Sequence, residues 1–194
     1  MKELIIATSN AGKINEFDLL FKEMSLPIKL ISFKDLNFFE DVPETGNTFE
    51  ENAFQKAEFV FNKFKIPVVS DDSGLEIKIL NNEPGVYSAR YAGLEKDDAK
   101  NRKLVLENLK FKLERQSRFV CCLCFYDGKK SNFFWGFLNG KIHTNETGEN
   151  GFGYDSIFIP EGYSNTMAEI SVDEKNKISH RAKAMKLFSE FLEE

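Results

Sequence analysis

Histidine, cysteine and tryptophan are scarce in this chain, and the scarcity of the first two excludes a class of function. The 194 residues include two histidines, three cysteines and one tryptophan. His143 and His180 lie far along the chain from Cys121, Cys122 and Cys124, which lack CxxC spacing, so we do not expect a thiolate metal site. The cysteines fall in an apolar strand, RFVCCLCFYDG, in which we expect them to be buried as small hydrophobic side chains.

The chain also lacks an excess of positive charge and any long apolar run. Its net charge of -5 argues against broad binding to nucleic acid or to an anionic membrane, because both need a basic surface. No apolar segment approaches the ~18 residues of a membrane span, and no signal-peptide pattern is present. With 42% apolar and 29% charged residues, the composition fits one soluble, cytoplasmic domain over residues 1–194.

Apolar periodicity predicts interleaved helices and strands, hence an α/β or α+β fold with a mixed sheet. A strand over 4–8 precedes a helix that begins near Lys13 and ends before Pro27. Capping boxes at Thr48 and Ser171 predict two further helix starts. The remaining predicted strands cover 67–70, 75–80, 118–126, 132–137 and 155–159, and the remaining predicted helices cover about 97–113 and the segment from His180. Among the positions we expect to be buried are Ile79, Ala99, Leu106, Leu109 and Leu113.

The segment ATSNAGKINEF places a polar loop between the first strand and the first helix. Backbone N–H groups and the positive end of the helix dipole would point into this loop, which suits a phosphate. The loop does not match the Walker A pattern, because Ile14 follows Lys13 where that pattern needs Ser or Thr. A polar helix cap with a solvated Lys13 is the alternative.

Acidic side chains form the second polar segment. Asp71 and Asp72 follow an apolar strand, and Glu44 precedes the first capping box. Their oxygens could hold a hard divalent cation together with water and phosphate oxygens. The alternative is that the two aspartates shape an Asx turn before Gly74.

Two more segments carry polar and aromatic residues. In PGVYSARYAG, Ser88 and Arg90 suit substrate positioning or a structural ion pair equally well. In GENGFGYDSIF, Phe152 and Tyr154 could form a platform for a flat ring with Asp155 as an acceptor, although strand packing is the commoner role of aromatic residues. His180 and Arg181 lie at the start of the last helix, whereas a C-terminal cap lies at its end. We therefore expect these two residues to act as hydrogen-bond donors.

Six blocks, in this order, resemble the family of inosine/xanthosine triphosphate pyrophosphatases, the Ham1-like enzymes. The blocks are ATSNAGKINEF, ETGNTFEENAFQKA, VVSDDSGLEI, PGVYSARYAG, NGFGYDSIFIP and ISHRAKAM. The resemblance implies an elongated, two-lobed α/β fold with a long mixed central sheet flanked by helices, a nucleotide cleft between the lobes, and a homodimer. It also implies Mg²⁺-dependent hydrolysis of ITP, dITP, XTP and dXTP to the monophosphate and pyrophosphate, which cleanses the nucleotide pool.

The same resemblance implies the roles of particular residues. Glu44 and Asp72 should bind the metal, and Asp72 should also activate water, with Asp71 the less certain candidate. Lys13 and Lys56 should act on the triphosphate as catalytic cations. The residues expected to bind substrate are Thr8, Ser9, Asn10, Ala11, Gly12, Lys13, Ser73, Phe152, Gly153, Tyr154, Asp155, Lys175, His180 and Arg181.

These residue types suit the implied chemistry. Attack of water on the α phosphorus develops negative charge, so catalysis needs cations and a carboxylate that accepts a proton. Arg181 can only donate hydrogen bonds, which favours bases with an oxygen at C6 over adenine, whose amino group also donates.

The sequence disfavours two alternatives to this function. A Maf-like pyrophosphatase acting on other modified nucleotides is disfavoured, because that family lacks the SHR ending and the FGYD block. A catalytically inactive nucleotide-binding module is disfavoured by the presence together of Lys13, Glu44, Lys56 and Asp72, since a module that only binds needs no metal-held water.

Overall fold

The computed structural model describes residues 2–24 and 28–193. Its helices are α1 (Ala11–Glu23), α2 (Phe49–Phe64), α3 (Asp98–Asn108), α4 (Val172–Ile178) and α5 (His180–Glu193). Its strands are β1 (Lys2–Ala7), β2 (Ile28–Ile31), β3 (Val68–Ile77), β4 (Glu83–Pro84), β5 (Gln116–Tyr126), β6 (Ser131–Ile142) and β7 (Phe158–Pro160). None of the helices in these two ranges is long and apolar enough to cross a membrane.

Within the described residues the strands form one mixed sheet, as predicted. The strand order is β2-β1-β3-β5-β6-β7, and β4 pairs with β3 outside this path. Strand β1 runs parallel to β2 and to β3, whereas the β3/β4 and β6/β7 pairs are antiparallel. The register of the β1/β3 pair places Ala7 opposite Ser70, so the polar residues that follow these two positions begin side by side.

The chain divides into two compact units, each with its own apolar core. Unit 1 contains Met1–Asp72, Cys121–Gly136 and Ala182–Glu194, and unit 2 contains Ser73–Val120 and Phe137–Arg181. The core of unit 1 includes Phe17, Leu20, Val69, Leu123, Met185 and Phe188. The core of unit 2 includes Leu75, Ile77, Val105, Leu109, Ile157 and Phe158. That residues 1–194 form a single domain stays a prediction.

Side-chain caps start the helices where the sequence predicts. Thr48 accepts the N–H of Glu51 at 3.1 Å, and Ser171 accepts the N–H of Glu174 at 3.2 Å. The Glu51 carboxylate accepts the N–H of Asn47, one residue before the cap, rather than that of Thr48. Helix α1 ends at Glu23, and the predicted terminator Pro27 lies outside the described residues.

Several predicted core positions are wrong. Helix α3 ends at Asn108, because the sequence LKFKL that follows alternates and offers no continuous helix face. Leu113 is consequently 99% exposed, and Ala99 is also exposed on the outer side of α3. Ile79 is exposed because β3 ends at Ile77 and a 3-10 turn follows. The predicted strand at 155–159 begins only at Phe158, after another 3-10 turn.

Candidate functional site

The polar loop between β1 and α1 is ordered by its own hydrogen bonds. Asn10 caps α1, and its Oδ1 accepts the N–H of Lys13 at 3.0 Å. The Thr8 hydroxyl accepts the N–H of Asn10 at 3.2 Å. Thr8 is buried, whereas the side chains of Ser9 and Asn10 face solvent. The loop therefore caps the N-terminus of α1, and α1 begins at Ala11 rather than near Lys13.

Lys13 forms an ion pair with Asp71 and is not a solvated side chain. Its Nζ lies 2.8 Å from Asp71 Oδ2, and the Asp71 side chain is fully buried. The parallel pairing of β1 with β3 explains this contact, because it brings the end of β1 alongside the aspartates of β3. The ammonium group of α1 thus lies at the carboxyl end of β1.

The Lys56 ammonium contacts two carboxylates from different segments. Its Nζ donates to Glu44 Oε1 and lies 3.6 Å from Asp72 Oδ1. The Lys56 side chain is only 7% exposed, and burial favours the neutral amine. Attraction by Asp72 and Glu44 outweighs burial, so the pKa of Lys56 is raised and the ammonium stays charged.

Asp72 is a buried carboxylate among cations. Burial raises its pKa above the usual range, and attraction by Lys56 and Lys13, together with a hydrogen bond from Asn52, offsets only part of that rise. A carboxylate with a raised pKa is a better proton acceptor than an ordinary aspartate.

Asn52 is a member of this cluster that the sequence analysis did not assign to the site. It is 1% exposed, and its Nδ2 donates to Asp72 Oδ2 at 3.0 Å. Its Oδ1 accepts the N–H of Gly46 at 2.8 Å, which ties the segment carrying Glu44 to α2. The available signal was its position four residues before Lys56, which places both on one helix face.

The two adjacent aspartates lie within β3, so the alternative that they shape an Asx turn is wrong. Successive side chains of a strand project to opposite faces, and here Asp71 contacts Lys13 of α1 while Asp72 contacts Lys56 and Asn52 of α2. The carboxylate that shares an ammonium with Glu44 is therefore Asp72.

The oxygen donors of Glu44 and Asp72 suit a hard divalent cation. Both contact one ammonium, Lys56 Nζ, so they lie close together. Among the described residues, no group of three or more His, Cys, Asp or Glu side chains is arranged to hold a metal ion. Mg²⁺ typically takes one or two carboxylates and completes its shell with water and other oxygen ligands, so this pair fits Mg²⁺.

In unit 2, Phe152 lies beneath cationic side chains. Lys175 Nζ is 4.7 Å from the centroid of the Phe152 ring, and Arg181 Cζ is 5.9 Å from it. Asp155 Oδ2 accepts from Lys175 Nζ at 2.6 Å and from the N–H of Phe152 at 2.9 Å. Asp155 is only 5% exposed, so in this structure it organises the loop around Phe152.

Tyr154 and Ser88 belong to the packing of unit 2 rather than to an open surface. Tyr154 is 6% exposed and donates to the carbonyl of Ser88 at 2.7 Å, and burial raises its pKa. The Ser88 hydroxyl donates to the Gly85 carbonyl and accepts the N–H of Leu75. Tyr154 is therefore not available as a platform for a flat ring, and Phe152 remains the candidate. Arg90 lies over the ring of Tyr87.

The start of α5 places His180 and Arg181 inside unit 2. The His180 ring stacks on Phe119 with centroids 4.9 Å apart. Arg181 is 2% exposed, and one guanidinium nitrogen lies 3.4 Å from the Ser73 hydroxyl. A second cluster, the Phe152 cluster, thus consists of Ser73, Phe152, Lys175 and Arg181. It shares no residue with the carboxylate cluster of unit 1.

Comparison with known proteins shows the family to which this chain belongs. The chain belongs to the Ham1 family, which it matches over residues 4–191. It is 48% identical over 196 aligned positions to a dITP/XTP pyrophosphatase of Bacillus subtilis, covering 100% of this chain and 98% of that protein. It is 47% identical to a dITP/XTP pyrophosphatase of Staphylococcus epidermidis, covering 100% of this chain and 97% of that one. The solved Ham1 protein of Staphylococcus aureus is 42% identical, with a TM-score of 0.88 over 99% of this chain and 98% of that one.

Proposed function

We propose that this chain hydrolyses non-canonical purine nucleoside triphosphates, namely ITP, dITP, XTP and dXTP, to the monophosphate and pyrophosphate. The observation that carries the proposal is the buried contact of Lys56 with Glu44 and Asp72, in a chain nearly half identical to dITP/XTP pyrophosphatases. Such a reaction would remove deaminated purines from the nucleotide pool.

The cluster in unit 1 supports a role in phosphate chemistry. Hydrolysis between the α and β phosphates develops charge on the phosphate oxygens and on the departing pyrophosphate. Lys13 and Lys56 are charged side chains that can compensate it, and the N–H groups at the start of α1 add further donors. We assign residues 8–13 and Lys56 to the triphosphate.

Mg²⁺ is the proposed cofactor, and Glu44 and Asp72 are its proposed ligands. When bound, the ion supplies positive charge next to the phosphate oxygens. Asp72 has a second proposed role, because its carboxylate lies beside the Lys56 ammonium that we assign to the triphosphate and can accept the proton of the attacking water. Asn52 holds Asp72 Oδ2 by a hydrogen bond and so limits the orientations of this carboxylate.

The cluster in unit 2 is proposed to bind the nucleoside. Phe152 offers a ring face, and Lys175 and Arg181 offer donors within 6 Å of that ring. Gly153, Tyr154 and Asp155 shape the same loop, and Ser73, His180 and Arg181 complete the proposed set. Arg181 can only donate, which favours the C6 oxygen of hypoxanthine and xanthine over the C6 amino group of adenine.

We further propose a homodimer in the cytoplasm. The dimer is implied by the resemblance to the family, and the location is the one predicted from the sequence. Light scattering at several protein concentrations tests the dimer, for which a monomer mass at every concentration is the contrary result.

The decisive experiment is a turnover panel with Mg²⁺. ITP, XTP, dITP, ATP, GTP and modified pyrimidine triphosphates are incubated with the protein, and pyrophosphate and monophosphate are both quantified. We expect one pyrophosphate and one IMP per ITP, little product from ATP, and loss of turnover in Asp72→Asn. Binding of ITP without turnover would instead support an inactive nucleotide-binding module, and preference for modified pyrimidines would support a Maf-like activity.

A further inference from the structure

Helix α3 forms hydrogen bonds with the loop that carries Phe152, through the N–H and the carbonyl of Gly153. The aromatic loop, residues 143–154, connects β6 to the 3-10 turn before β7. Within it, the Gly153 N–H donates to Asp98 Oδ2 at 2.9 Å. The Gly153 carbonyl accepts from Arg102 Nη1, also at 2.9 Å. Asp98 and Arg102 are four residues apart on α3, so they share one face of that helix.

Arg102 also joins the two ends of the aromatic loop. Its Nε donates to Glu146 Oε2 at 2.7 Å, while its Nη1 bonds Gly153 seven residues later. The Arg102 side chain is 19% exposed, so its charged hydrogen bonds are partly shielded from water. Hydrogen bonds to charged groups are stronger than neutral ones, and one guanidinium makes two of them here.

Gly153, which is bonded to α3, directly follows Phe152 in the sequence. The Phe152 N–H is bonded to Asp155, and the next peptide is bonded to α3, so the backbone on both sides of Phe152 has an assigned partner. Gly153 adopts φ +60°, a conformation that glycine reaches without steric cost. The orientation of the Phe152 ring therefore depends on the hydrogen bonds that α3 makes to Gly153.

We propose that Asp98 and Arg102 are positioning residues of the nucleotide site, which set the affinity for the purine base by holding Gly153 and hence the Phe152 ring. This inference rests on the proposed function, because it assigns the base to the Phe152 cluster. The two residues lie on a different helix from the phosphate-binding cations. Their loss should weaken binding of the base and leave the phosphate step intact.

The test compares Asp98→Ala and Arg102→Ala with Asp98→Asn, which keeps an acceptor oxygen, and with Lys103→Ala. Lys103 is an exposed neighbour on α3 whose ammonium lies 3.9 Å from Glu107. Three quantities are measured: the Kd of IMP by calorimetry, the kcat and KM for ITP, and the inhibition constant of inorganic tripolyphosphate.

We expect the two alanine variants to raise the Kd of IMP and the KM for ITP about tenfold, the size typical of losing a charged hydrogen bond. Their kcat and tripolyphosphate inhibition should change less than about twofold, and Lys103→Ala should resemble the parent protein. Asp98→Asn should fall between the parent and Asp98→Ala, because it keeps an acceptor oxygen but loses the charge. Unchanged IMP binding in both alanine variants would overturn the proposal, as would an equal loss of tripolyphosphate binding. Since the Kd of IMP requires no turnover, a parent protein inactive on ITP contradicts the proposed function without deciding this one. If an alanine variant does not fold, Arg102→Lys provides the same comparison, because a lysine ammonium does not reproduce the planar fork of the guanidinium.

Discussion

The Asn52 side chain connects Asp72 to the backbone of Gly46. Its amide donates to Asp72 Oδ2 at 3.0 Å and accepts the Gly46 N–H at 2.8 Å. An amide side chain carries both a donor and an acceptor, and Asn52 is 1% exposed. Gly46 permits the close approach, because a Cβ there would lie 2.6 Å from the Cβ of Glu51. Asn52 therefore fixes the Asp72 carboxylate and the Glu44 segment relative to each other.

Replacing Asn52 by alanine should reduce catalysis more than substrate binding. The change removes the donor to Asp72 and leaves the Gly46 N–H without its acceptor. We expect kcat for ITP to fall about 10- to 100-fold, as is usual when a partner that orients a metal ligand is lost. Steady-state kinetics at saturating Mg²⁺ measure this change. The matched control is Asn62→Ala on the exposed face of α2, which should retain parent activity. A kcat within about twofold of the parent for Asn52→Ala would contradict the assigned role.

Replacing Lys13 by glutamine should weaken binding of the triphosphate. The substitution removes the ammonium that pairs with Asp71 at 2.8 Å and that we assign to the phosphates. We expect the KM for ITP and the inhibition constant of tripolyphosphate to rise together, each about tenfold or more. Lys22→Gln, in the last turn of the same helix, is the control and should change neither constant. If Lys13→Gln retains the parent affinity for tripolyphosphate, residues 8–13 do not hold the phosphate chain.

Local features of this fold were predictable from sequence, because their causes lie within a few residues. The capping residues Thr48 and Ser171 each have their partner three positions later. The order of helices and strands follows from apolar spacing, and the mixed sheet follows from their alternation. Family resemblance, carried by six motifs, supplied the assignment of site residues that spacing alone left open.

Contacts that depend on the sheet were not predictable in this way. Asp71 and Asp72 contact different helices because β3 continues past its apolar run into these polar residues. Each of these buried carboxylates lies next to an ammonium group, Asp71 beside Lys13 and Asp72 beside Lys56. The contact of Asn52 with Asp72 joins residues 20 positions apart, so no local pattern indicates it.

The buried thiols should resist labelling in the native protein. All three cysteines lie on β5 with no exposed surface, and burial raises the pKa of Cys124 to about 12. The thiolate is the form of cysteine that attacks a disulfide reagent, and a raised pKa makes the thiolate scarce at mildly alkaline pH. We expect no reaction with a coloured disulfide reagent in the native state and three equivalents after unfolding in guanidinium. Rapid reaction of any native cysteine would contradict the burial of β5.

Arg181 should determine discrimination between oxo and amino purines. Its guanidinium is 2% exposed, lies 5.9 Å from the Phe152 ring, and can only donate hydrogen bonds. In Arg181→Ala we expect the ratio of kcat/KM for ITP to that for ATP to fall about tenfold or more, because adenine no longer meets an opposing donor. Pyrophosphate should still be the product. Lys186→Ala, exposed on the same helix, should keep the parent ratio, and thermal melts should confirm that both variants are folded. A parent-like preference for ITP in folded Arg181→Ala would assign selectivity to other residues of the Phe152 cluster.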